Sequence, residues 1–192
     1  MWRATQNWLL RNRPFLVYVP ALIVSAGWAL TRGGVLSSRL VLFACAGLAL
    51  WTLMEWGLHR AMHVETGIGL IDRIQDTAHL RHHREPDDLE HSVIRLSASI
   101  PLATLILLML RAVLGDWLGS LAMLWGVLAG YLLYEFVHLS AHGPSRVPGL
   151  NFLRAYHLRH HFGQKDRCFG VTSPLWDWAF GTSPRARCAV DK

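Results

Sequence analysis

Charged side chains are scarce here: 17% of the 192 residues, against 52% hydrophobic. The apolar residues do not recur at the intervals of a water-soluble fold. They fall in continuous stretches almost free of charge, which argues against a single soluble domain. Cysteine is scarce too. Cys45, Cys168 and Cys188 are odd in number and lack any short metal-type spacing, which excludes a disulfide framework and leaves them reduced or incidental. No Gly-rich phosphate loop, nucleophile elbow or heptad run is present, which removes phosphate-loop, serine-hydrolase and coiled-coil readings. No cleavable signal peptide is apparent, because the first apolar stretch follows Arg11 and Arg13 without a small-residue cleavage site. Acidic residues number 13 against 19 Lys and Arg, a net charge of +6. A basic balance can mark a nucleic-acid binder, but membrane topology accounts better for where these charges lie, and no nucleic-acid partner is expected.

Four apolar stretches are present, over residues 15–30, 40–58, 96–114 and 117–138. Each is about long enough to cross a hydrocarbon core of ~30 Å as a helix, the first only if slightly extended. Residues 1–13, with Arg3, Arg11, Arg13, Trp2 and Trp8, read as a short interfacial segment. Pro20 is a candidate kink, Thr31-Arg32-Gly33-Gly34 a tight turn, Gly115-Asp116 a second turn, and Gly143-Pro144 a helix stop. The expected architecture is all-α: one integral membrane domain over residues 1–192, with about four transmembrane helices and histidine-rich regions at 59–95 and 139–192. All the Lys and Arg except Arg32, Arg39 and Arg111 lie before the first span or in those two regions. The positive-inside rule then places both termini and a histidine-rich cap in the cytoplasm.

Ten of the 11 histidines fall into four clusters. His59 with His63, and His138 with His142, are pairs at i and i+4. His79, His82, His83 and His157, His160, His161 are triplets at i, i+3 and i+4. On a helix these positions share one face, so each triplet is expected to converge on one small volume. Pair and triplet recur as a unit: His59 precedes His138 by 79 residues, and His79 precedes His157 by 78. A duplicated unit of that kind would set the clusters about a pseudo-twofold axis. Imidazole is a good ligand for Fe, Zn, Cu and Ni. Ten exceed what one ion can use, and two ions with about five nitrogens each would employ them all. His91 fits no cluster and reads as a surface residue or a supporting one. Glu55 and Glu135 lie four and three residues before His59 and His138, near span ends where an ionisable group usually faces a cavity or partner. They are expected to accept hydrogen bonds from the outward N–H groups of ligand histidines. The acids at 85–90 read as a solvated loop. Trp176, Trp178 and Phe180 read as an anchor at the membrane surface, or as a cover over a lipid substrate.

The order of these boxes resembles the fatty acid hydroxylase / sterol desaturase superfamily of membrane oxygenases. Three stretches carry the likeness: Glu55 to Arg60; His79 to Asp88; and Tyr156 to His161, continued by Phe169 to Asp177 and Phe180-Gly181-Thr182. The last is similar to fatty acid 2-hydroxylases in particular. The resemblance covers roughly residues 40–182.

It implies a cytoplasm-facing dinuclear metal site held by His59, His63, His79, His82, His83, His138, His142, His157, His160 and His161. Iron is the expected metal of the active enzyme, with dioxygen as co-substrate, because zinc has no redox chemistry to offer; zinc could still displace iron on purification. The implied reaction inserts one oxygen atom into a C–H bond of a fatty acyl chain or related lipid. Two departures stand out. Many relatives have a further histidine where this chain has Gly143, and fungal and animal 2-hydroxylases often carry a fused haem electron-carrier domain for which this chain has no room. A separate electron-donor protein is therefore expected, and the short length points to a bacterial inner membrane. The lipid head is expected near basic residues flanking the site, such as Arg60, Arg81 or Arg159. Desaturation, or a carotenoid- or sterol-type oxidation, is the alternative within the superfamily. A zinc transporter would want ligands at mid-bilayer. A zinc hydrolase would need a free general base, for which Glu55 or Glu135 is available.

Overall fold

The structure is a computed structural model that describes residues 2–33, 38–88, 92–143 and 147–185. The described residues form helices and connecting segments, with no strand. Four helices are long and apolar enough to cross a membrane: α1 (Trp2–Gly33), α2 (Ser38–Ala61), α5 (Leu96–Leu114) and α6 (Trp117–His142). Shorter helices carry the rest: α3 (Gly69–Gln75), a π-helical turn at Asp76–Leu80, α4 (Arg81–Arg84), α7 (Asn151–Phe162) and α8 (Leu175–Ala179).

The boundaries follow from local chemistry. Gly115 takes φ +74°, a left-handed conformation that costs glycine nothing, and ends α5. Asp116 then caps α6 by accepting the Gly119 N–H at 2.7 Å. At the other end of α6, Gly143 is extended and the helix stops at His142. One expectation is refined and one needs correction. Helix α1 runs unbroken from Trp2, so residues 2–13 are helical and continuous with the first span. Thr31, Arg32 and Gly33 are also still helical, with the Thr31 hydroxyl bonded back to the Trp28 carbonyl at 2.7 Å. Neither Thr nor Arg breaks a helix, and no tight turn forms there; Gly34 lies outside the described residues.

Helix α6 is the centre. Its span is 61% buried, against 6% for α5, and α1, α2 and α5 all pack on it. Contact with α2 is closest because both helices offer glycine. A methyl group at Gly47 would meet the Met123 carbonyl, and one at Gly126 the Ala44 carbonyl. Tyr18, Trp51, Leu128, Tyr131 and Tyr134 fill the core around this contact. Arg13, at the start of the first span, donates to the Val93 carbonyl at 2.9 Å. That end of α1 therefore lies on the same side as the histidines.

Candidate metal centre

The ten clustered histidines gather into two groups of five. His59, His63, His79, His83 and His160 form one; His82, His138, His142, His157 and His161 form the other. Within each group one ring nitrogen per histidine lies within 4.8 Å of all the others. The triplets are thus not kept whole. Each sends its first and third members to one group and its middle member to the other. Helical geometry explains the split, because residues i and i+4 are about 40° apart around the axis, whereas i+3 and i+4 diverge by about 100°. An i, i+4 pair grips one point, and the i+3 imidazole must reach elsewhere. In the first triplet the π-helical turn, which carries His79, further alters the phase. His83 and His161 stack face to face across the boundary of the two groups, centroids 3.9 Å apart. His91 lies outside the described residues.

Four of the rings have their outward N–H tied down, so that their lone pairs point inward. Nδ1 of His59 donates to the Phe169 carbonyl (2.6 Å), of His138 to the Ser92 carbonyl (3.0 Å), and of His160 to the Arg167 carbonyl (2.7 Å). Nδ1 of His82 pairs with the Ser92 hydroxyl at 2.8 Å, and that hydroxyl is itself donated to the Asp88 carbonyl at 3.1 Å. These bonds fix the tautomers with Nε2 as the free acceptor. The Nε2 atoms of His59 and His138 are buried without a protein partner. Other rings meet nitrogen to nitrogen, such as Nε2 of His63 and His160 at 3.1 Å and of His142 and His157 at 3.0 Å. Burial, reinforced by neighbouring cationic groups, holds the rings neutral. His63 is pushed down to about 4 by burial and then Lys165; His82 and His160 are pushed to about 3 by burial and then His142 and His63 respectively. Buried, neutral, converging imidazoles suit a divalent cation in each group.

The glutamates act differently from expectation. Among the described residues neither bonds a histidine. Glu55 accepts the backbone N–H groups of Val171 and of Thr172 (2.8 Å), and the Thr172 hydroxyl at 2.5 Å. Glu135 accepts the Ile94 N–H at 3.0 Å. In both cases the amide held is two residues beyond a carbonyl that takes a histidine Nδ1–H: Phe169 before Val171, Ser92 before Ile94. Each glutamate therefore clamps the backbone that orients a histidine, and does so twice over in the duplicated halves. Carbonyls replace carboxylates at the rings because short backbone segments reach a buried imidazole without burying a charge beside it.

Several contributors gave no readable signal in the sequence. Ser92 holds two histidines of one group through separate oxygens. Asp177, fully buried, accepts the Phe169 and Gly170 N–H groups (3.0 and 2.8 Å) and the Thr182 hydroxyl (2.6 Å). A side chain at Gly170 would strike the Ser173 carbonyl. The aromatic tail packs on α2. Trp176 donates to the Thr52 hydroxyl at 2.9 Å, and Phe180 stacks on Trp56 at 4.4 Å, while Trp178 is 63% exposed. Cys45 and Cys168 are both free.

An apolar cavity of about 350 Å³ lies between α2 and α5 and reaches the metal centre. Trp51, Leu102 and Tyr134 form part of its wall, and His59, His79 and His82 bring both histidine groups to it. Arg60, Arg81 and Arg159, the expected head-group residues, do not line it. Arg60 lies over the Trp56 ring, and Arg81 pairs with Glu85 at 3.5 Å. The charged lining residues are Glu55 and Arg95.

A family model described as fatty acid hydroxylase matches residues 44–182. The dihydroceramide fatty acyl 2-hydroxylase FAH2 of Arabidopsis thaliana is 33% identical, over 100% of this chain and 76% of the relative. The ceramide very long chain fatty acid hydroxylase SCS7 of Saccharomyces cerevisiae is 30% identical over 87% of this chain and 44% of its own length. The human fatty acid 2-hydroxylase is 30% identical over 71% of this chain and 38% of its own length. A solved structure titled full-length scs7p, with only the hydroxylase domain visible, matches with a TM-score of 0.80 at 28% identity, over 96% of this chain and 69% of that one.

Proposed function

We propose that this chain, which belongs to the fatty acid hydroxylase family, inserts one oxygen atom from dioxygen into a C–H bond of a membrane lipid's acyl chain, close to its polar head. The observation that carries this reading is the meeting of two five-imidazole groups with one apolar cavity that opens between two membrane helices. All ten histidines are assigned as ligands, five to each of two iron ions. Those ions would supply the redox chemistry of dioxygen activation that no side chain here can provide. Electrons come from a separate donor protein, and the histidine face is assigned to the cytoplasm from the Lys and Arg distribution.

The chain's own residues do the rest. Phe169, Ser92 and Arg167 carbonyls hold the imidazoles in one tautomer, so ligand geometry is set before substrate arrives. Trp51, Tyr134 and Leu102 exclude water and steer an extended acyl chain toward the histidines. The substrate enters sideways from the bilayer between α2 and α5. The relatives' names, dihydroceramide fatty acyl 2-hydroxylase and fatty acid 2-hydroxylase, support attack near the head.

A hydrolytic reading is disfavoured by the carboxylates. Glu55 lines the cavity, but its oxygens already accept from Val171 and Thr172, and Glu135 does not line it. The test is lipid mass spectrometry of membranes from cells expressing the intact chain or the His160→Ala/His161→Ala variant at matched levels. A lipid class one oxygen heavier, only with intact histidines, is expected. Loss of two hydrogens instead would make the enzyme a desaturase. No change with a competent electron donor present would overturn the oxygenase reading.

A further inference from the structure

We propose that Arg95 is the residue that receives the polar head of the substrate, and so determines which acyl carbon reaches the metal centre. The inference rests on the reading of the cavity as the lipid site. Three observations carry it. First, among the described residues Arg95 is the one cation in the cavity wall, which is otherwise lined by apolar side chains, the histidines, the bonded Glu55 and a few hydroxyls.

Second, its guanidinium has no ion pair or hydrogen bond among the described residues, in contrast to several other arginines around the site. Arg84 pairs with Asp76 at 2.7 Å, Arg154 with the Ser140 and Gly143 carbonyls at 2.8 and 3.1 Å, and Arg167 with the Gly181 and Ser183 carbonyls at 3.0 and 2.7 Å. A cation that merely flanks a span can stand anywhere around the helix end; this one stands at the cavity. Third, Arg95 is the N-cap residue of α5, and no side chain caps that helix. The position is electrostatically wrong for a cation, because the helix N-terminus is itself positive. Two unsatisfied positive elements at one rim of an apolar cavity attract an oxygen-rich, anionic or strongly accepting head.

The geometry also accounts for attack near the head. A cavity of about 350 Å³ is at the small end for ligand sites. It encloses a head and the first few carbons, while the remaining chain lies along α5, whose span is almost wholly unburied by protein. A head held by Arg95 and histidines from both groups share the same wall, so the carbon presented is one of those first few. The shared chemistry is an acyl oxygen accepting from the guanidinium. A free carboxylate and an N-acyl amide both offer one, and they differ in charge.

The experiment uses the full chain as purified in detergent, and as expressed in cells. Arg95→Leu, Arg95→Gln and Arg95→Lys would be compared with the parent for binding of octadecanoate and of octadecanamide, and for the position of the hydroxyl in cellular lipids. Metal content per chain and thermal unfolding serve as controls, and both are expected to be unchanged because the side chain makes no ion pair or hydrogen bond among the described residues. For a carboxylate head, Arg95→Leu weakens octadecanoate binding by about tenfold or more, weakens the amide less, and spreads hydroxylation over neighbouring carbons. Arg95→Lys retains part of the binding. Equal weakening of both ligands also supports the role and shows that the guanidinium holds the acyl oxygen without selecting for charge. Unchanged affinity for both ligands, with unchanged hydroxyl position in the variants, would overturn it. If the parent chain hydroxylates nothing, the oxygenase reading fails while the binding comparison still decides whether Arg95 holds an acyl head.

Discussion

The group around His59 and the group around His138 follow one plan with different anchors. Each begins with an i, i+4 pair at the end of a membrane helix, takes the outer members of the triplet that follows, and borrows the middle member of the other triplet. Each has a glutamate one turn before the pair that clamps a backbone segment. For the His138 group the segment is Ser92–Ile94, which follows the first triplet. For the His59 group it is Phe169–Thr172, which follows the last. The anchors also differ in strength. Glu55 takes three bonds, and Asp177 fixes the adjoining turn with three more. Glu135 holds one backbone N–H, and Arg13 secures the neighbouring Val93 carbonyl. The lesson is that each half of the chain completes the histidine group of the other. The two sites are duplicated in plan and exchanged in parts.

The sharpest way to break this comparison is to delete the exchanged ligands. His82→Ala should empty the group that contains His138, and His160→Ala the group that contains His59. Each should bring bound metal from two ions per chain toward one and lower hydroxylation by more than about 100-fold. Metal analysis combined with a spectroscopic signature of each site checks this. Emptying of the sequence-adjacent group instead would refute the exchange.

A smaller effect is expected from Asp177→Ala, which leaves the buried Phe169 and Gly170 N–H groups without an acceptor. It should cost roughly 2–4 kcal/mol of stability and weaken metal at the His59 group about 10–100-fold, with the His138 group little affected. Thermal unfolding in detergent and metal titration read the two consequences separately. Equal weakening of both groups would show that the anchors are not independent.

The smallest effect near neutrality is that of acid, and it should not discriminate between the groups. His63 and His160 in one group and His82 in the other have values of about 4 and 3 when folded, below the ordinary value near 6.5. The unfolded chain therefore binds protons first as pH falls. The stability of the metal-free chain is complete above about 6.5 and declines from there toward 3. Denaturant titrations of apo protein at stepped pH test the sign. Stability that rose on acidification would contradict the burial of these rings.

Much of this was legible in the residues. The apolar stretches at 96–114 and 117–138 coincide with or lie within α5 and α6, because about twenty apolar residues between polar ends have few other stable arrangements. His59 was expected at the end of α2 and is there; His63 falls in the turn just beyond Ala61. At Thr31–Gly33 the composition resembles a turn, yet these residues are the last of α1. Ser92 and Asp177 were not readable, since a lone serine in a polar loop and an aspartate between two tryptophans carry no periodic signal. Their roles exist only once distant segments meet. The placing of Arg95 at the cavity rim is likewise invisible in the residues alone.

What local spacing settles is the number of imidazoles and the helical stretches that carry them, because the period of an α-helix and the thickness of a bilayer are properties of short segments. Which histidine joins which group, which carbonyl holds which ring and which arginine faces the cavity are set by α6 packing against α1, α2 and α5 and by two loops folding back across the duplicated halves. A side chain's angle about a helix axis is local, but the partner that waits at that angle is supplied by chain that is often more than a hundred residues away.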